Sequence, residues 1–240
     1  MKALHGLFIV FGLLSVVLLA ISGPLYKSGT AELGTAFLML RWAAYIGVAT
    51  FVLNIIWYLI RRPQGLVAGL SGLAIIAGGF AFYMPFSQYL KAQNVPAIHD
   101  ITTDTQNPPE FVAIAPLRAD ASNPVEYAGE DTAKQQRKAY PELTTYESLE
   151  SPDELFSAAL LAVDKMGWEL VDSSETEGRI EATATTTWFG FKDDVVIRIR
   201  ATADGSELDI RSKSRVGRSD VGKNAERIRE YLSQLKPELQ

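Results

Sequence analysis

Basic side chains and a predicted helix start come together in residues 209–225 of the sequence. The first half of this stretch alternates as a β-strand does, so Arg211, Lys213 and Arg215 should share one strand face. Arg218 follows in a turn, and Ser219 is predicted to cap the next helix, whose first backbone N–H groups attract anions. These five residues, called the basic corner below, could therefore bind a phosphate, a sulfate or a carboxylate.

A purely structural role for the same cations is the alternative interpretation. The strand alternation predicts an antiparallel sheet that is covered on one side only, with its charged face in solvent. On such a face Arg198 and Arg211 could pair with Glu181 and Asp209 and do no more than keep the domain soluble. Both interpretations stay open at the level of the sequence.

Asp193 and Asp194 are the paired carboxylates that could carry acid–base or metal-dependent chemistry. They follow a turn that contains Trp188 and Phe191, two aromatic residues that could wall an anion site or simply close the core. Neighbouring strand residues face opposite sides, so the two carboxylates do not automatically converge. Cross-strand ion pairs with arginines are the structural interpretation of these acids, and contact with a cation or substrate is the functional one.

Several enzyme classes are disfavoured by composition. The sequence has no cysteine, which excludes disulfides and thiol catalysis, and its two histidines are His5 and His99. A Ser–His–Asp hydrolase is therefore not expected. His99 with Asp100 and Asp104 could ligate a metal, but one histidine and two acids in a linker favour turn or docking roles. No cofactor is predicted.

The charge distribution divides the chain into two unlike halves. Of the 28 acidic residues only Glu32 falls in the first 91 positions, which also hold six of the 23 lysines and arginines. The remaining 149 residues carry 27 acids and 17 bases. So acidic a domain argues against a nucleic-acid partner.

Three long apolar runs in the first half predict membrane-spanning helices over residues 4–21, 37–60 and 66–84. Lys2, Arg61 and Arg62 flank these runs, which places the N-terminus in the cytoplasm and the C-terminal domain outside. Small residues near Ser22 would also suit a signal-peptide cleavage site, and the domain stays outside in that case.

The membrane half is interpreted as an anchor. Gly65, Gly69 and Gly72 suggest close helix packing in the third span. Arg41 is expected to reach toward the membrane surface, whereas an Arg41 buried among the helices would favour a functional membrane half with the exported domain as an accessory.

The second half is predicted to be an extended linker over residues 92–110 and an α+β soluble domain over residues 111–240. Ser151, Pro152 and Glu154 form a helix-start signature ahead of a run with helical periodicity. Four alternating segments then predict a four-stranded antiparallel meander, with a tight turn at Asp204-Gly205 and a closing helix. We also expect a short strand at residues 111–114 and a short helix between residues 130 and 139.

Spaced motifs run through this domain, from Pro108-Pro109-x-Phe111 and Pro116-Leu-Arg118 through Asn123-Pro124-x-x-Tyr127 and Ala139-Tyr-Pro141 to Trp-Phe-Gly-Phe-Lys-Asp-Asp-Val (188–195) and Arg-Ser-Lys-Ser-Arg-Val-Gly-Arg-Ser-Asp (211–220). Together they resemble a bacterial membrane-anchored family, with relatives in plastids, that is catalogued only as a domain of unknown function. The resemblance implies a domain boundary and no activity.

The sequence therefore predicts a bacterial inner-membrane protein with a periplasmic domain. We expect a binding or scaffolding module of the cell envelope, whose partners are the lipid bilayer and an anionic ligand or envelope protein at the basic corner. The alternative is a hydrolase or metal-dependent enzyme that uses Asp193, Asp194 and the arginine cluster. Acids and bases converging in a concave pocket would favour the enzyme, and a flat charged face would favour the scaffold.

Overall fold

The computed structural model describes residues 2–239, which form two compact units. The first unit comprises Met1–Lys91 together with Thr187–Gly190, and the second comprises Ala92–Thr186 together with Phe191–Gln240. The second unit is called the exported domain below, after the location that the sequence predicts for it.

The first unit is built from three long helices, α1 (Lys2–Lys27), α2 (Leu33–Arg61) and α3 (Gly65–Gln93). Each helix is long and apolar enough to cross a membrane. The prediction of three long apolar helices is confirmed. Arg41 lies on α2 with its side chain exposed, so the arrangement that would favour a functional membrane half is not seen.

Small residues line the contact between α2 and α3. Ala43 and Gly47 on α2 are buried, as are Gly78 and Ala81 on α3, and each pair is spaced to fall on one helix face. A Cβ atom built on Gly47 would lie 2.7 Å from the Gly78 carbonyl oxygen, so this crossing requires glycine. The glycines singled out from the sequence, at positions 65, 69 and 72, face open space instead, and that prediction was wrong.

The exported domain contains one antiparallel sheet of six strands. These are β1 (Asp100–Thr102), β2 (Tyr146–Ser148), β3 (Glu169–Ser174), β4 (Arg179–Thr185), β5 (Lys192–Ala201) and β6 (Ser206–Ser214). The order across the sheet is β1-β6-β5-β4-β3, and β2 also pairs with β6. Strands β3 to β6 are the predicted meander. The segment expected to be a linker supplies β1 and residues 146–148 supply β2, so the sheet has six strands rather than four.

Three helices complete the exported domain, α4 (Glu130–Ala139), α5 (Pro152–Lys165) and α6 (Lys223–Leu235). Helix α4 confirms the short helix expected there. Ser151 and Glu154 form the predicted capping box at the start of α5. The main apolar core lies between α5, α6 and one sheet face, and it includes Leu155, Ile197 and Tyr231.

The opposite sheet face is also covered, contrary to the expectation of a solvent-exposed charged surface. Residues 103–128, called the covering segment below, lie over it. Phe111 and Ile114 of this segment pack on Val196 as a second, small apolar cluster. No strand forms at residues 111–114; a short 3-10 helix, Ala115–Arg118, follows them. The covering segment buries charged side chains, which a sequence pattern of apolar residues does not reveal.

Candidate functional site

The covered side of the sheet, called the polar face below, carries a layer of buried charges. Strand alternation places Glu181, Asp194, Asp209, Arg211 and Lys213 on it. The register of β5 and β6 sets Asp194 opposite Lys213 and Arg198 opposite Asp209. Opposite charges therefore face each other across neighbouring strands, in the arrangement that stabilises a sheet.

Asp100 is the first centre of this layer and holds two cations. Its carboxylate accepts hydrogen bonds from Arg211 Nε at 2.9 Å and Nη2 at 3.0 Å, and from Lys213 Nζ at 2.9 Å. All three side chains are at most 3% exposed. The Arg211 guanidinium also lies 5.0 Å from the Phe111 ring centroid and 5.4 Å from that of Tyr127. The covering segment thus clamps Arg211 from two sides.

Asp194 is the second centre and also holds two cations. It accepts hydrogen bonds from Arg118 at 2.5 Å and from two nitrogens of Arg215, each at 2.8 Å. The Thr183 hydroxyl donates a further bond at 2.8 Å. Four cations therefore share two carboxylates, and backbone carbonyl oxygens accept further bonds from them, although Arg118 Nε is buried and has no acceptor among the described residues. These oxygens belong to Pro109, Leu117, Asn123, Val125, Glu126, Lys213 and Ser214.

Glu181 fixes the covering segment by its backbone. Its carboxylate accepts the N–H groups of Val112, Ala113 and Ile114 at 2.9, 3.0 and 2.8 Å. Three consecutive N–H groups form a cradle for an anion. Here the anion is a side chain of β4, and Arg179 contacts it from the side at 2.5 Å.

Burial changes the acid–base properties of several groups around this layer. The pKa values of Lys213 and Arg118 are lowered, because burial disfavours their charged forms more than the nearby carboxylates favour them. Burial raises the pKa of Tyr127 to about 12. Burial and the charge of Lys213 lower the pKa of His99.

The residues of the basic corner differ in their burial and in their ion pairs. Arg211 and Lys213 are buried and paired with Asp100, so their predicted exposure was wrong. Arg215 is paired with Asp194 and keeps 18% of its side chain exposed. Arg218 is exposed and forms no ion pair within residues 2–239. Of the four cations of the corner, Arg215 and Arg218 reach solvent.

Ser219 does not cap the last helix, contrary to the sequence prediction. Its hydroxyl accepts the Val221 N–H, while α6 begins four residues later. Val221 and Gly222 have φ angles of 55° and 77°, which interrupts the backbone before the helix. The Asp220 carboxylate accepts the N–H groups of Gly222 and Asn224, both at 2.7 Å, and takes the capping role.

The two neighbouring carboxylates of β5 lie on opposite faces of the sheet. Asp193 is on the helix side, where it bonds to Arg227 at 2.6 Å, and Asp194 is on the polar face. Phe191 is half-buried, and its N–H donates to the Thr186 hydroxyl. Trp188 belongs to the short segment grouped with the membrane helices, where its indole N–H donates to the Ala20 carbonyl oxygen. Asp193 and Asp194 therefore do not converge as an acid–base pair.

Arg118 and Asp100 are two residues of the layer whose ion pairing was missed by sequence reasoning. Arg118 is the single lysine or arginine between Lys91 and Lys134, an isolation that could have suggested a specific role. For Asp100 the sequence offered a metal site or, preferably, a turn or docking role, and the structure pairs it with Arg211 and Lys213. Asp104 likewise bonds to Arg198 and to the backbone of Gln106 and Asn107.

The polar face matches neither arrangement expected from the sequence. Acids and bases do converge, but they bond to one another beneath the covering segment. Asp100, Glu181, Asp194 and Asp209 each accept hydrogen bonds from at least two other residues. Through these bonds to described residues, the four carboxylates hold the covering segment and the sheet together.

Lowering the pH from 7.5 to 5.5 is expected to destabilise the exported domain in part through His99. Because the pKa of His99 is lowered from 6.5, the ring is neutral in both folded and unfolded states above that pH. Below it the unfolded state takes up the proton first, and stability falls. Thermal unfolding of the full chain in detergent, compared with His99→Gln, should show a shallower loss in the variant. Identical pH slopes would contradict the assignment.

One known family matches most of the exported domain. A family model described as a protein of unknown function (DUF1499) matches residues 100–235, from the first residue of β1 to the last of α6. No curated protein matches the chain.

Proposed function

Because the chain belongs to the DUF1499 family of proteins of unknown function, we propose from its geometry that it is a membrane-anchored binding or scaffolding module of the cell envelope. Three apolar helices support the anchor. The cations Lys2, Arg61 and Arg62 favour a cytoplasmic N-terminus and a periplasmic exported domain in a bacterial inner membrane.

The observation that carries the binding role is the internal pairing of the polar face. Catalytic acids and bases need access to a substrate, whereas Asp100 and Asp194 are fully buried and each is bonded to two cations. Such a layer rigidifies the covering segment and the sheet into one body. A rigid body on a membrane anchor suits the presentation of a fixed surface to a partner.

The outer rim of the basic corner is the part of this surface that we propose contacts an anionic ligand. Beneath it, four cations share two carboxylates, so the ion pairs leave an excess of positive charge. Arg218 adds an exposed guanidinium, and Arg215 keeps part of its side chain in solvent. A phosphate or carboxylate group of an envelope ligand has the chemistry that such a rim attracts.

Charge reversal at Arg218 tests the proposal. We expect Arg218→Glu to weaken binding of tripolyphosphate to the full chain in nanodiscs about three- to tenfold, the range for losing and reversing an exposed charge contact. Titration calorimetry measures the affinity. Lys134→Glu makes the same charge change at another exposed position, on α4, and should leave the affinity within twofold of the parent.

Two results would contradict the proposal. Equal effects of Arg218→Glu and Lys134→Glu would show that only overall charge matters. A reporter enzyme fused after Gln240 and found active only in the cytoplasm would refute the periplasmic location.

A further inference from the structure

A cleft of about 320 Å³ lies at the edge of the polar face, between the covering segment and strands β4 and β5. It shares no residue with the basic corner. One wall consists of Asn107, Pro108, Pro109, Glu110 and Val112, and the other of Glu177, Arg179, Val196 and Arg198. Its volume falls at the lower end of small-ligand sites, which suits a ligand the size of one or two amino-acid residues.

Arg198 lines this cleft and has hydrogen-bond donors that no described residue accepts. Its Nη2 donates to Asp104 at 3.0 Å and to Asp209 at 2.9 Å. Its Nε is buried and has no acceptor, and its Nη1 donates to none of the residues 2–239. A buried N–H without an acceptor costs about 1–3 kcal/mol, so each such group calls for an explanation, and a bound water or ligand is one of them.

The charge around Arg198 decides which kind of acceptor fits. Three guanidiniums in this region already contact six carboxylates. The guanidiniums belong to Arg179, Arg198 and Arg200, and the carboxylates to Asp104, Asp172, Glu177, Glu181, Glu207 and Asp209. The surplus is negative, and Glu110 at the rim is exposed and adds to it. A free anion is therefore disfavoured, whereas a neutral carbonyl oxygen next to a cation fits both features.

The cleft also has an apolar part, which a ligand must match. Val112 on the covering segment and Val196 on β5 line it together with two prolines. A lysine or arginine side chain has an aliphatic stem that packs on such a surface and a charged head that can reach a carboxylate.

We propose that this cleft binds a basic segment of a partner polypeptide. A backbone carbonyl oxygen of the segment accepts from Arg198, and the stem of its lysine or arginine lies on Val112 and Val196. The cationic head lies between Glu110 and Glu177. The excess of 27 acids over 17 bases in residues 92–240 attracts a basic partner over a longer range.

Capped tripeptides and the full chain in nanodiscs test the proposal. We expect acetyl-Ala-Lys-Ala-amide to bind about tenfold more tightly than acetyl-Ala-Glu-Ala-amide, measured by titration calorimetry or NMR shifts. Butylammonium, which has the charge and stem but no carbonyl group, should bind at least threefold more weakly than the lysine peptide. Glu110→Gln should weaken the lysine peptide about three- to tenfold, and Val112→Lys should abolish its binding.

Glu150→Gln is the matched control, because Glu150 lines a separate acidic groove with Asp153 and Glu154. The proposal requires that this variant bind the lysine peptide like the parent chain. Equal losses in Glu110→Gln and Glu150→Gln would overturn it, as would equal affinities for butylammonium and the peptide, or no binding. Tripolyphosphate binding should be no weaker in Glu110→Gln, which separates this site from the basic corner.

Discussion

Replacing Asp100 with asparagine is expected to lower the free energy of unfolding of the exported domain by about 3–5 kcal/mol, the range for breaking a buried ion pair by removing one partner. The substitution keeps the shape of the side chain and removes its charge. Arg211 and Lys213, both buried, then face a neutral amide. Of the two carboxylates that the four cations share, Asp194 alone would remain, and Arg118 and Arg215 are already bonded to it.

Native-state hydrogen exchange of the β5 and β6 amides in the full chain measures this loss, because those amides open with the whole sheet. Asp120→Asn is the control, since Asp120 is an exposed aspartate of the same covering segment. Adding Lys213→Met to Asp100→Asn should restore part of the stability, because it removes one of the two unpaired cations. A cost for Asp100→Asn no larger than that of Asp120→Asn would show that the buried pairs do not hold the domain.

Replacing Gly47 with leucine should separate α2 from α3. Even a Cβ atom at this position would overlap the Gly78 carbonyl oxygen, at 2.7 Å, and would lie 3.1 Å from the Ala81 side chain. Lipid tails are as apolar as leucine, so the hydrophobic effect does not hold helices together in a bilayer. Helix association there depends on close backbone contact of this kind. We expect a loss of about 1–3 kcal/mol or more in the stability of the helical unit, as for other overpacked contacts.

Unfolding of the full chain by sodium dodecyl sulfate in mixed micelles, followed by circular dichroism, measures this second effect. Gly69→Leu provides a control of the same size change on α3, at a glycine with open space around it. The packing argument fails if the two variants unfold at the same detergent ratio.

Much of the fold could be predicted from the sequence because its elements have simple periodicities. The apolar runs gave three spanning helices, and the Ser151–Glu154 signature gave the start of α5. Strand alternation gave β3 to β6. Strands β1 and β2 were not predicted, because each has three residues, too few for a period to be recognised.

The state of the candidate site could not be predicted in the same way. Alternation correctly placed Arg211 and Lys213 on one face, but it cannot tell whether solvent or protein lies above that face. The answer depends on the covering segment, whose attachment uses backbone groups and isolated side chains such as Arg118 and Glu181. None of these follows a period, so their partners are recognisable only in three dimensions.

The bonds from Asp100 to Arg211 and Lys213 join positions 111 and 113 residues apart in the chain. During synthesis, Asp100 and the covering segment therefore emerge long before the strand that neutralises them. Contacts of such separation form late and slow folding. The nascent domain must keep its first third open until β6 is complete, and a chain cut short before β6 would present that segment unfolded to the proteases of its compartment.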